Sequence, residues 1–263
     1  MYVKILITGS YSGIGYRLGC ALAKKGHTVY MGVENKKQEE NIKVKLRRDM
    51  IDANVIKLDI TTSDIEKVDD LDLDCLINHA GIGVGGSILY MDIDDLRKNF
   101  EVNFFSSFEL LKRVYKSMIR NKKNGKIFVT SSVTAYLPFP FLGCYTSSKA
   151  AISMLCRSIK MELDYLNNGI SISIIEPGAY HTGFNQRMID NKNIYLFKSS
   201  PFYKERESIN RLQNNLFRLI EKDDYSDLIN KVVKEIEKKK PNFIIRRPWY
   251  MSFLVKLYFL IFG

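Results

Sequence analysis

Residues 8–15, Thr8-Gly9-Ser10-Tyr11-Ser12-Gly13-Ile14-Gly15, decide how this chain folds. Before them, Tyr2 to Thr8 is a short apolar, β-branched run that reads as a strand. After them, Leu18, Ala21, Leu22 and Ala23 recur at helical spacing as far as Gly26. Strand, glycine turn and helix in that order open a βαβ unit. The glycines have a physical use. A dinucleotide pyrophosphate needs close backbone approach, φ values that only glycine tolerates, and the free N–H groups of a helix N-terminus. Gly9, Gly13 and Gly15, with their strand before and helix after, meet all three needs, and a tight strand-to-helix turn with no ligand is the minor reading.

Outward from that turn the alternation continues. His27 to Val33 reads as a strand, Lys36 to Met50 as a charged helix, Val55 to Leu58 and Leu71 to Asn78 as further strands. Two helical stretches follow, Asp92 to Val102 and on through Phe108 to Ile119. Then come a strand at Lys126 to Thr130, a helix at Cys144 to Leu166, a strand at Ile170 to Ile175, a helix at Tyr225 to Lys239, and a final edge strand at Asn242 to Ile245. The strands are continuous Val/Ile/Leu runs, as a sheet buried on both faces requires. The expectation is an α/β, Rossmann-type doubly wound fold, with a mainly parallel sheet of about seven strands and helices on both faces, in one domain over 1–263.

Composition excludes several classes. With 46% hydrophobic and 26% charged residues, the chain reads as a soluble globular protein. Cys20, Cys75, Cys144 and Cys156 show no C-x-x-C spacing, and His27, His79 and His181 are scattered, so no disulfide framework or metal site is expected. Met1 to Thr8 is too short for a signal sequence, which makes a reducing, cytoplasmic setting the default. The net charge of +11 falls largely on late residues such as Lys231, Lys234 and Lys238 to Lys240. These are not interleaved with stacking aromatics, which argues against a nucleic-acid partner.

The chemistry is expected at Tyr145 and Lys149, four apart on one helical face. A nearby ammonium favours the phenolate, lowering the tyrosine pKa and making the hydroxyl a general acid or base. Ser132, just past the Lys126 to Thr130 strand, brings a second hydroxyl from another direction. Taken alone, a Tyr and a Lys at this spacing are ordinary boundary residues.

Together, Thr8 to Gly15, Asn78-His79-Ala80-Gly81, Asn103, Ser132, Tyr145-Thr146-Ser147-Ser148-Lys149 and Pro177-Gly178 followed by Thr182 resemble the short-chain dehydrogenase/reductase family, in that family's order. The resemblance implies an NAD(P)-dependent oxidoreductase interconverting an alcohol and its carbonyl. Tyr145 would be proton donor or acceptor, Ser132 would hydrogen-bond the substrate oxygen, and Lys149 would lower the tyrosine pKa and hold the nicotinamide ribose. Asn103 would position a water for the proton relay. Cofactor contacts would come from Gly9, Ser10, Ser12, Gly13, Ile14, Gly15, Glu34, Asp59, Ile60, Asn78, Ala80, Gly81, Tyr145, Lys149, Pro177, Gly178 and Thr182. Asp59 matches the family's adenine-contacting aspartate, with a strand-end cap as the alternative. The family's dimers and tetramers suggest a homo-oligomer.

His79 stands where the family has asparagine, and it is read as structural. Cofactor choice is mixed, since Glu34 would repel a 2′-phosphate while Lys36 and Lys37 follow it; the balance leans to NAD. Residues 182–215 are polar and weakly periodic, and read as a substrate lid whose Phe184, Met188, Ile189, Leu196, Phe197 and Phe202 line an apolar pocket. The apolar tail at 248–263 is too short to span a bilayer. Two fates stand open for it: lying in a membrane interface behind the cationic stretch, or packing over the cleft or a second subunit. Similar family tails point to a lipid-, steroid- or retinoid-like substrate. The rival from another class is a catalytically silent dinucleotide-binding regulator.

Overall fold

The computed structural model describes residues 2–192 and 200–262, the side chains of Ile189, Asn191, Lys192 and Phe262 excepted. Seven strands form one sheet in the order β3-β2-β1-β4-β5-β6-β7, every neighbouring pair parallel. They are β1 (Lys4–Ile7), β2 (Thr28–Val33), β3 (Asn54–Lys57), β4 (Cys75–Asn78), β5 (Lys126–Thr130), β6 (Ser171–Pro177) and β7 (Ile244–Arg247). The order reverses between β1 and β4, so a crevice opens beyond their carboxyl ends, where ligands of doubly wound sheets bind.

The period-two alternation of strands sorts the core into two layers. Ile5, Ile7, Val29, Met31 and Ile77 face α1 (Gly13–Lys24), α2 (Lys36–Arg48) and α8 (Ser226–Glu237). Leu6, Leu76, Ile127, Val129 and Ile174 face α4 (Ser107–Arg120) and α5 (Gly143–Leu166). Every one of these strand residues is essentially fully buried, which is why the strands read as unbroken apolar runs.

Several boundaries differ from the sequence reading. The fourth strand starts at Cys75, because Asp72 turns the chain with φ of 47°. The stretch from 92 to 119 is α3 (Ile93–Phe100) and α4 joined by a π-helical turn, Glu101–Ser106, that contains Asn103. The largest correction concerns 182–215. It holds two helices, α6 (Phe184–Lys192) and α7 (Arg206–Ile220), the second running past the expected lid. The tail forms α9 (Tyr250–Phe262), seated through buried Met251 and Val255.

Candidate active site

The glycine turn meets the demands of an anion cradle. Gly9 and Gly13 have φ of 67° and 57°, the left-handed region that penalises a side chain. A Cβ on Gly9 would lie 2.9 Å from Ala80 Cα, and one on Gly15 would lie 2.5 Å from the Gly9 carbonyl oxygen. Ser12 caps α1 in extended conformation but makes no side-chain cap bond, so the N–H groups of the first turn keep their donors for a ligand. Bare backbone, positive φ and an uncapped helix start fit a pyrophosphate.

From this turn a cleft of about 350 Å³ runs along the carboxyl ends of the sheet. Gly9, Ser12, Gly13 and Ile14 line one end, followed by Ala80, Gly81, Ser132, Tyr145, Lys149, Pro177, Gly178 and Thr182. Ser132 caps a single 3₁₀ turn after β5, its hydroxyl accepting from the Thr134 N–H at 3.2 Å. Tyr145 and Lys149 come from the first turns of α5. That helix is pinned to the end of β5 by Ser131, whose hydroxyl donates to the Lys149 carbonyl and accepts from Ser153. Neither Ser131 nor Ser153 stands out in the sequence; their only signal is a small polar residue at a buried position.

The electrostatic balance departs from the sequence expectation. Burial pushes the Tyr145 phenol up to about 12, and a hydrogen bond with Ser132 only partly offsets it. Lys149 is itself brought down to about 8 by burial. Its ammonium donates to the Thr130 carbonyl at 3.0 Å and lies 5.8 Å from the Tyr145 ring centroid. Desolvation is the dominant effect on both groups, and it favours the neutral phenol at Tyr145.

Asn103 is buried, and its side chain is fully engaged: Oδ1 accepts from Ile82 N, and Nδ2 donates to Ile82 O, Asn99 and Ser148. Ser148 in turn donates to the Tyr145 carbonyl, so Asn103 ties the π-helical turn to the Tyr145 turn of α5. These bonds fix the side chain behind Gly81, whose added Cβ would lie 3.0 Å from Asn103 Oδ1.

Of the other expected cofactor residues, Thr182 lines the cleft, while Asn78, Ser10 and Ile60 brace it from behind and Asp59 and Glu34 stand at strand ends. Asn78 donates both amide hydrogens to Ser107 and accepts from Thr8. Ser10 is buried and donates to the Ile7 carbonyl, and Ile60 belongs to the core. Asp59 accepts from Thr61 N and Oγ1, the strand-end cap foreseen as its alternative role. Glu34 closes β2 in the open, bonded to Gln38. Thr182 caps α6 by accepting from Phe184 N and reaches the glycine turn, 3.2 Å from a Cβ built on Gly13.

His79 is structural in its geometry. Its Nδ1 lies 3.1 Å from Thr130 Oγ1, and burial, then the charge of Lys149, push the imidazole down to about 4. Between pH 4 and 6.5 the unfolded histidine binds a proton that the folded one rejects, so stability falls as the pH falls through that window. Acidification from pH 7.5 to 5 is expected to remove about 1–2 kcal/mol through this residue. Denaturant melts of His79→Asn should show a correspondingly flatter acid limb than those of the parent.

The far half of the cleft is apolar. Phe184 packs on Tyr145 with ring centroids 5.5 Å apart, and Met188 is buried beside it. Phe202 instead packs edge-on against Phe141 and Tyr90, outside the cleft. Leu196, Phe197 and the Ile189 side chain lie outside the described residues. The remaining wall comes from Leu216, Phe217 and Ile220 of α7 and Met251 and Leu254 of α9, which the sequence reading did not assign. Of the two fates foreseen for the tail, one face of α9 thus takes the cleft-covering role.

The sequence model of the short chain dehydrogenase family matches residues 3–193. The chain belongs to that family, and it is an enzyme of the oxidoreductase class. A 3-ketodihydrosphingosine reductase from Bacteroides thetaiotaomicron is 29% identical over 245 residues, covering 90% of this chain and 77% of that protein. Two solved structures share the fold over 98% of this chain and 93% of theirs. One is a short-chain dehydrogenase/reductase from Burkholderia phymatum in complex with NAD, at TM-score 0.83 and 19% identity. The other is a short-chain dehydrogenase from Sphingobium yanoikuyae in complex with NADPH, at TM-score 0.73 and 18% identity.

Proposed function

We propose that this enzyme interconverts an apolar, lipid-like alcohol and its carbonyl with a nicotinamide dinucleotide, using Tyr145 to pass the proton. The observation that carries the reading is the convergence of Ser132, Tyr145 and Lys149 on one cleft, with the Gly9–Gly15 cradle at one end and apolar side chains at the other. A bound nicotinamide supplies or takes the hydride. The chain's own residues bind, align and move the proton. The Gly9–Gly15 backbone and the start of α1 would hold the pyrophosphate, and the Lys149 ammonium suits ribose hydroxyls.

Ser132 and Tyr145 would share the substrate oxygen. A phenol kept neutral by burial is a proton donor, which suits carbonyl reduction at neutral pH. The apolar walls from α6, α7 and α9 exclude water and favour a long hydrocarbon substrate. The likeness to a 3-ketodihydrosphingosine reductase supports the same class. Nicotinamide absorbance followed against short and long ketones and alcohols, with each dinucleotide, tests this reading. Turnover that rises with chain length supports it; absence of turnover with every carbonyl returns the protein to the class of silent dinucleotide binders.

Cofactor choice leans to NAD because Glu34 closes β2 with an exposed carboxylate, which a 2′-phosphate would meet as a like charge. Glu34→Ser is expected to improve NADP relative to NAD by about tenfold, equivalent to about 1.4 kcal/mol. Titration of both dinucleotides reads the ratio, and an unchanged ratio removes Glu34 from cofactor selection. Self-association fits α4 and α5, whose outer faces expose Ile119, Met154, Met161 and Tyr165.

A further inference from the structure

Helices α7 and α9 carry apolar side chains on two sides at once. On α9, Met251 and Val255 face inward, whereas Phe253, Leu257, Leu260 and Ile261 face out. On α7, Leu212 and Leu219 face out. Leu219 and Leu260 are each 85% exposed, an unusual state for leucines on helices with four other outward-facing apolar residues. Leu216 and Leu254 belong to both sets: they line the cleft, yet remain 37% and 42% exposed. The outer apolar surface is therefore continuous with the cleft wall.

The charge carried by these two helices is mainly cationic. Within α7, Arg206, Arg211 and Arg218 face a single acid, Glu207, which pairs with Arg206. Within α9, Lys256 is the sole charge, and Lys222 reaches over the Tyr250 ring. Beyond the end of α7 the charge is mixed: Glu221 accepts from Asn185, Asp223 lies beside His181, and Asp224 accepts from Ser226 N. At the start of α9, Trp249 is 71% exposed, edge-on to Tyr250. No helix among the described residues is long and apolar enough to cross a membrane.

An apolar surface with a cationic rim and aromatic residues at its edge complements an anionic lipid surface. We propose that α7 and α9 dock on an anionic lipid bilayer with the cleft mouth, between Leu216 and Leu254, turned to the lipid. An apolar substrate then reaches Tyr145 without crossing water. The docking rests on this surface alone; the entry route rests also on the oxidoreductase reading above.

The test uses the full chain with phosphatidylcholine vesicles, with and without phosphatidylserine. Trp249 is the only tryptophan, so its emission reports this helix directly. Flotation with the phosphatidylserine vesicles, a blue shift of Trp249, and release at high salt are expected. The double variant L219E/L260E should weaken binding by about tenfold or more while its unfolding temperature stays unchanged. R218E/K256E should abolish the phosphatidylserine dependence. Absence of binding to phosphatidylserine vesicles, or equal binding by L219E/L260E, overturns the proposal. So does a dimer in sedimentation that L219E/L260E splits, because a second copy then covers the face. Vesicle binding needs no turnover and the absorbance assay needs no vesicles, so failure of docking and failure of the catalytic reading are separable.

Discussion

Tyr145→Phe is expected to lower kcat/KM by about 10²–10⁴-fold, the usual contribution of one positioned proton-transfer group. The substitution keeps the ring that packs on Phe184 and removes only the hydroxyl, which faces Ser132 at the wall of the cleft. Stability should change by no more than about 1 kcal/mol, the net worth of one hydrogen bond. Dinucleotide affinity should hold, because the Gly9–Gly15 cradle is untouched. Steady-state kinetics, a dinucleotide titration and a thermal melt on the same sample separate the three effects. A variant with weak dinucleotide binding and unimpaired turnover per bound cofactor would reverse the assigned role. Ser132→Ala should lower the rate too, and the double variant should cost less than the product of the two losses, since both hydroxyls serve one oxygen.

The second large effect is structural. Glu176, next to last in β6, is completely buried and lies beside Arg246 on the adjacent strand β7. Its Oε2 accepts from Arg246 Nε at 2.7 Å, and its Oε1 accepts from the Tyr136 hydroxyl at 2.6 Å. Arg157 of α5 donates to the same tyrosine oxygen. Tyr136 ends the turn that Ser132 caps, and its ring touches Phe259 of α9. One carboxylate thus fastens the Ser132 turn, the last strand and the tail helix. Glu176→Ala leaves the Arg246 guanidinium, with only 11% of its side chain exposed, without a counter-charge. The expected cost is about 3–5 kcal/mol, the range for breaking one side of a buried ion pair. For a chain of this size that is a fall of roughly 6–20 °C in Tm. The partner variant Arg246→Met strands the fully buried Glu176 carboxylate in turn and should cost a comparable amount, which calorimetry on both variants checks.

Much of this architecture could be read before any coordinates. Strands buried on both faces write themselves as Val/Ile/Leu runs, and the glycine turn has few other physical uses, so the sheet and the crevice were foreseeable. Tyr145 and Lys149 were foreseeable because helical spacing puts them on one face and the motifs around them resemble one family in its order. The sign of the tyrosine shift was not, because desolvation depends on what packs around the ring, and Phe184 arrives from a distant helix. Asn78 and Ser10 hold the crevice from behind, and a motif does not distinguish an amide that touches a ligand from one that braces its loop. Residues 182–215 misled because α7 is amphipathic over a polar sequence, and its apolar stripe closes the cleft partly from beyond residue 215. Glu176 and Arg246 are seventy residues apart, and only the adjacency of β6 and β7 makes them a pair.

The central claim is that Tyr145 protonates a carbonyl oxygen while hydride arrives at its carbon within this cleft. Reduced dinucleotide deuterated at the transferable position, offered with a long-chain ketone, tests it by mass spectrometry of the alcohol. One deuterium on the carbinol carbon, with product formation slowed at least a hundredfold in Tyr145→Phe, is the predicted result. Product without deuterium, or equal rates for the two proteins, would contradict it.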